Sequence, residues 1–110
     1  MKDERGDATT ANRILAFSVG VDGARTGQSE FATVQAPDGL AVDQGGNLYV
    51  AALVSGNGAV VVLSAAGRTI GSNSLTESPT NCAFGGHDYK TLFVTARTAL
   101  YAASVPIPGL

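Results

Sequence analysis

The sequence predicts an all-β fold: a partial β-propeller of roughly two and a quarter four-stranded antiparallel blades. Three observations lead there. Apolar residues come in short runs, rich in Val, Leu and Ala, bounded by Gly, Asn, Asp and Pro. No segment sustains a helical period. Similar strand segments return after 40 to 46 residues, the interval at which propeller blades repeat. The 110 residues, with 14 Gly and no Trp, fit one domain built on tight turns.

The elements follow in order. Residues 1–12 are polar, without periodicity, and are expected to form a flexible arm ahead of a domain at 13–110. Arg13 to Ser18 is a strand apolar enough to be buried on both faces. Asp22-Gly23 turns the chain, and Ser29 to Val34 alternates as a more exposed strand. Pro37-Asp38-Gly39 is expected to break the chain before a short strand, Leu40 to Val42. Asp43 to Asn47 turns into the strand Leu48 to Ala52, and Gly56-Asn57-Gly58 turns into Ala59 to Leu63. Ala66-Gly67 leads to a weaker strand over Thr69 to Leu75, which Pro79 is expected to end. Asn81 to Phe84, Thr91 to Thr95 and Ala99 to Ala103 complete the set, and Pro106 and Pro108 should stop regular pairing.

The repeat has a phase. Leu40-Ala41-Val42 matches Cys82-Ala83-Phe84 at an offset of 42, and Leu48 to Ala51 matches Leu92 to Thr95 at 44. Ile14 to Phe17, Val60 to Leu63 and Leu100 to Ala103 are related by 46 and 40. With blade strands lettered A (innermost) to D (outermost), residues 13–18 and 29–34 are C and D of one blade. The segments from 40 to 75 are A to D of the next, and those from 82 to 103 are A to C of a third that lacks D. Blade faces at both ends are left open. They are to be covered by further N-terminal blades or by other copies in a homo-oligomer.

Composition narrows the partners. Net charge is −2 and pI about 5.1, so there is no basic footprint for nucleic acid. No apolar run approaches the ~20 residues of a membrane span, and no secretory signal is visible after Lys2. Cys82 is the single cysteine and is compatible with a reducing, cytoplasmic setting.

Two stretches carry a family resemblance. Ala36-Pro37-Asp38-Gly39-Leu40-Ala41-Val42-Asp43, followed by Gly46-Asn47-Leu48-Tyr49-Val50-Ala51, resembles the gluconolactonase, regucalcin and senescence-marker-protein family. Thr80 to Gly86 with Lys90 to Thr95 resembles the last blade of the same family, in the right order and one blade apart. The resemblance implies a six-bladed propeller with one divalent metal, calcium or zinc, in its central cavity. It implies hydrolysis of sugar lactones, and a last blade closed by a strand from the start of the chain. The family's metal is held by a Glu and Asn residues of earlier blades and by the Asp of the Pro-Asp-Gly motif, whose counterpart here is Asp38. The other ligands are expected to lie before this chain begins. Calcium takes about six to eight oxygen ligands, so one carboxylate does not hold it.

In a complete ring the implied chemistry is direct. The cation polarises the lactone carbonyl and stabilises the developing oxyanion while water attacks. Asp38 serves as metal ligand and takes the water's proton, and Gly39 lets the backbone turn to aim it. The plain alternative makes Asp38 an Asx-turn residue after a proline. Asn81, near the repeat-equivalent of Asp38, reads as a turn or cap amide, and His87 as a solvated loop residue. Asp43 with Asn47 reads as a hairpin turn, because the further carboxylates of a calcium loop are lacking. Cys82 reads as a small buried apolar residue with no base beside it. Arg25 and Arg68 are expected to cover blade edges with charge. The expected function is a C-terminal fragment of a metal-dependent sugar-lactone hydrolase, inactive alone. The alternative is a non-catalytic propeller fragment for binding or scaffolding.

Overall fold

The computed structural model describes residues 12–110. The flexible arm expected at the N-terminus falls on residues 1–11, outside the described residues. Asn12 is described, and its backbone carbonyl accepts the Val34 N–H at 3.1 Å.

Among the described residues, alternating apolar residues and turn glycines build nine strands: β1 (Arg13–Val19), β2 (Arg25–Thr33), β3 (Pro37–Val42), β4 (Leu48–Val54), β5 (Asn57–Leu63), β6 (Thr69–Ser74), β7 (Pro79–Gly85), β8 (Thr91–Ala96) and β9 (Leu100–Ser104). They form a two-stranded sheet β1-β2, a four-stranded sheet β3-β4-β5-β6 and a three-stranded sheet β7-β8-β9. Every ladder is antiparallel. This is the all-β, blade-phased arc expected: strands C and D, then A to D, then A to C, in an unclosed propeller.

The two central strands of the middle sheet, β4 and β5, are buried on both faces, which follows from the period of two along a strand. On β4 and β5, Val50, Ala52, Ala59, Val61 and Leu63 pack with Ile14, Ala32 and Val34 of the first sheet and its exit. The alternate residues Tyr49 and Val60 pack with Cys82, Leu92 and Val94 of the third. Val50 and Leu63 are fully buried, and each such side chain stabilises the fold by about 1.5–3 kcal/mol.

Several boundaries differ from the sequence expectation, for backbone reasons. Pro37-Asp38-Gly39 does not break the chain but lies inside β3, and Pro79 opens β7 rather than only ending β6. A proline at the first residue of a strand forfeits only a donor and keeps its carbonyl. The β4–β5 turn is the pair Ser55-Gly56, both at positive φ (51° and 79°), so Asn57 and Gly58 belong to β5. β2 begins at Arg25, because Gly27 at φ 65° absorbs a bulge opposite Phe17.

The C-terminal segment departs furthest. Beyond Pro106 the backbone still bonds across sheets: Gly109 N donates to Tyr89 O at 2.9 Å, Leu110 N to Val42 O at 3.1 Å, and Gln44 N to Pro108 O at 2.8 Å. Gly109 forms an isolated bridge with Asp43. The prolines stop a ladder, but their acceptors and the intervening N–H groups stitch the third sheet to the second.

Candidate functional site

The innermost strands β3 and β7 both open on a proline, Pro37 and Pro79, 42 residues apart. Both then bulge. Pro37 pairs with Ala52 and Leu40 with Val50, so Asp38 and Gly39 together oppose Ala51. Pro79 pairs with Ala96 and Asn81 with Thr95, leaving Thr80 without a partner across the ladder. Such bulges bend a strand and redirect a side chain. Asp38 is exposed on this bulge.

The segment entering the bulge is braced. Ala36 has a φ of 44°, in the left-handed region that a non-glycine residue before proline disfavours. Its N–H donates to Asn12 Oδ1 at 3.0 Å. One residue earlier, Gln35 Oε1 accepts the Ser55 N–H. The segment is therefore tied to residues on both sides of β3.

Gly39 has a different reason from the one expected. Its φ is not in the positive region, so no glycine-only turn aims Asp38. A Cβ at position 39 would instead lie 1.9 Å from Asn81 Oδ1 and 2.6 Å from Asn81 Cα. Gly39 is what lets β3 and β7 of neighbouring sheets touch, and it sets Asp38 beside the second inner strand. At that strand Asn81 Oδ1 accepts its neighbour Cys82 N–H at 2.9 Å; Asn81 lies inside β7, paired with Thr95, and not in the turn or cap expected. The repeat-equivalent of Asp38 at an offset of 42 is Thr80, which the sequence reading passed over. Its hydroxyl lies 3.0 Å from Thr95 Oγ1. The proline spacing carried that signal.

The other candidates separate from this end. Asp43, about 17 Å further along the strand at 3.3 Å per residue, is fully buried. Its Oδ1 accepts the Gly45 and Asn47 N–H groups at 2.8 and 3.0 Å. Its Oδ2 accepts Asn47 Nδ2 at 3.0 Å and the Tyr49 hydroxyl at 3.3 Å. Burial alone would push its pKa up, but the donors from Asn47, Gly45 and Tyr49 outweigh it and hold the carboxyl below its ordinary value. The Asp43–Asn47 pair is therefore the hairpin turn expected, with a charged hub. Burial, and then the Asp43 charge, push the Tyr49 hydroxyl up, so it remains a donor.

Cys82 is buried, and its thiol donates to Tyr49 O at 3.3 Å. Burial pushes its pKa up to about 11, which leaves little thiolate near neutrality. At pH 7.5 a thiol reagent is expected to label Cys82 at least about 100-fold more slowly in the folded chain than in denaturant. Equal rates would show that the thiol is neither buried nor protonated. His87 is exposed in the β7–β8 loop. The Arg25 guanidinium lies over the Phe17 ring, 4.8 Å from its centroid, and Arg68 is exposed at the start of β6. Among the described residues, no three His, Cys, Asp or Glu side chains converge on a metal-sized space. Nor is any helix among them long and apolar enough to cross a membrane.

The described residues do not by themselves fit a calcium ion. Asp38 belongs to no group of three acidic, His or Cys side chains, and the amide oxygen of Asn81 on the neighbouring inner strand accepts the Cys82 N–H.

Comparison with known proteins follows the same lines. The family model described as SMP-30/Gluconolactonase/LRE-like region matches residues 7–98. Over 63 residues the chain is 43% identical to a Bacillus subtilis (strain 168) protein named as a sugar lactone lactonase, YvrE, which covers 56% of this chain and 21% of the relative. A solved structure described as a gluconolactonase superposes with a TM-score of 0.82 at 28% identity, covering 93% of this chain and 34% of that one. The gluconolactonase XC5397 of Xanthomonas campestris gives a TM-score of 0.71 at 29% identity, covering 89% and 30%. A luciferin-regenerating enzyme shares the fold, with a TM-score of 0.69 at 21% identity over 80% of this chain and 31% of that chain. The chain thus spans about a third of the length of these solved structures and about a fifth of the curated relative.

Proposed function

This chain belongs to the SMP-30/gluconolactonase/LRE-like family, and on that premise we propose that it forms an arc of a metal-dependent sugar-lactone hydrolase and does not turn over alone. The observation that carries the reading is Asp38. It is an exposed carboxylate on a bulge at the start of an innermost strand, held beside the next innermost strand by the Gly39–Asn81 contact. In a complete ring it is one of the oxygen ligands of the divalent cation, calcium or zinc, and the remaining ligands come from blades outside this arc. The metal's contribution would be to polarise the lactone carbonyl. This chain's own contribution is to orient Asp38, through the braced turn at Ala36 and the bulge that follows.

The expected results are specific. The isolated chain, supplied with calcium or zinc, shows no hydrolysis of a sugar lactone. A chimera in which residues 13–110 replace the matching third of an active gluconolactonase hydrolyses it. Asp38→Ala in that chimera lowers the rate at least about 100-fold. Because Asp38 is exposed, the same change shifts stability by no more than about 0.5 kcal/mol. A chimera that keeps its parent's rate after Asp38→Ala would remove this residue from the site.

A second reading is a non-catalytic propeller arc that binds or scaffolds, since fold alone does not set chemistry. A folded chimera that hydrolyses no lactone would support this second reading.

A further inference from the structure

The two inner strands carry different chemistry at one matched position. β3 and β7 run against β4 and β8 in the same register. Pro37 pairs with Ala52 and Leu40 with Val50, while Pro79 pairs with Ala96 and Cys82 with Val94. Inner-strand residues are thus related by 42 and their partners by 44. The residue after the proline is Asp38 in β3 and Thr80 in β7, and both are exposed. The next pair in this register, Gly39 and Asn81, is where the two strands touch. A hydroxyl therefore stands in β7 where β3 carries its carboxylate, beside the same close approach.

Neighbouring groups orient that hydroxyl. Thr95 Oγ1 donates to Asn81 O at 3.4 Å. A threonine hydroxyl has one proton, so Thr95 has none left for Thr80. Thr80 Oγ1 is then the donor between them, with Thr95 O at 3.3 Å and Thr95 Oγ1 at 3.0 Å. With its proton turned to Thr95, Thr80 offers an arriving group only its lone pairs. An uncharged acceptor suits a hydroxyl, which can donate. It does not suit a lactone carbonyl or the oxyanion that develops from it, since both only accept.

Resting on the lactonase reading of Asp38, we propose that Thr80 is a substrate-binding residue: its hydroxyl accepts a hydrogen bond from a hydroxyl of the sugar lactone. The two inner strands then divide the work. Asp38 serves the cation at the carbonyl, and Thr80 meets a hydroxyl elsewhere on the same ring. Selectivity follows from what a poorer substrate leaves behind. A lactone lacking that hydroxyl displaces water from Thr80 and gives its lone pairs no donor in return, so it is bound less well. Thr80 thus favours polyhydroxylated lactones over plain ones.

The test uses the gluconolactonase chimera carrying residues 13–110, with D-glucono-δ-lactone and its set of monodeoxy analogues as substrates. Thr80→Val keeps the shape of the side chain and removes the acceptor. It is expected to lower kcat/KM for the full lactone about tenfold. For the one analogue lacking the hydroxyl concerned, the same change stays within about twofold. Thr80→Ser, which keeps the acceptor, stays within about threefold of the parent on the full lactone. No loss on the full lactone overturns the proposal, and so does an equal loss on every analogue. An equal loss that added cation restores would give Thr80 to the metal and overturn it too. Failure of the Asp38 reading shows differently, as an Asp38→Ala chimera that keeps its parent's rate on every lactone. A chimera inactive on all of them overturns both.

Discussion

Asp43→Ala is expected to destabilise the chain by on the order of 3 kcal/mol, a large share of what a domain of this size holds. The carboxylate is fully buried and takes hydrogen bonds from the Gly45 and Asn47 N–H groups, the Asn47 amide and the Tyr49 hydroxyl. Alanine leaves those donors buried without an acceptor, each a loss of about 1–3 kcal/mol before relaxation. Asp43→Asn keeps the size and one acceptor, and is expected to lose roughly half as much. Urea denaturation of both variants checks this, and a midpoint within experimental error of the parent for Asp43→Ala would refute it.

The same hub makes stability depend on acid. Asp43 is held below its ordinary value of 3.8 in the folded chain, so the unfolded chain takes up the proton first. Its contribution is therefore complete above that value and is lost as pH falls through 3.8 towards the lower folded value. The urea midpoint is expected to drop over that range in the parent and to drop less in Asp43→Asn.

Gly39→Ala is expected to cost about 2–3 kcal/mol and to part the two inner strands. The added methyl meets the Oδ1 and Cα of Asn81 at 1.9 and 2.6 Å, distances that no side-chain rotation accommodates at the Cα. Asn81→Ala in the same background removes the amide but not the Cα, so it restores only part of the loss. Thermal unfolding of the single and double variants is the check. Full recovery in the double variant would place the conflict in the Asn81 side chain and not in the approach of the two backbones. In an active chimera, Gly39→Ala also moves Asp38, so activity falls even where the fold survives.

Much of the architecture was legible in the chain because it is local. Val60, Val61, Val62 and Leu63 are β-prone wherever they sit, and the Asp43–Asn47 turn and its hairpin are closed by groups within a few residues of one another. The blade phase came from repetition alone, and Cys82 followed from an apolar strand with no base nearby. The bulges were not legible in that way. A proline reads as a break until the partner strand shows that only its donor is missing, as at Pro37 and Pro79. Thr80, 42 residues after Asp38, was legible in the spacing of Pro37 and Pro79 but was passed over.

By itself the sequence determined the strand content, the order and phase of the blades, and the family. Each of these depends on alternation, turn chemistry and repeats over at most about fifty residues. Only the tertiary structure decided that Gly39 serves a close approach and not a turn, and that the tail past Pro108 ties two sheets together. Those facts depend on which surfaces meet across blades, and two surfaces distant in sequence carry no local mark of their meeting.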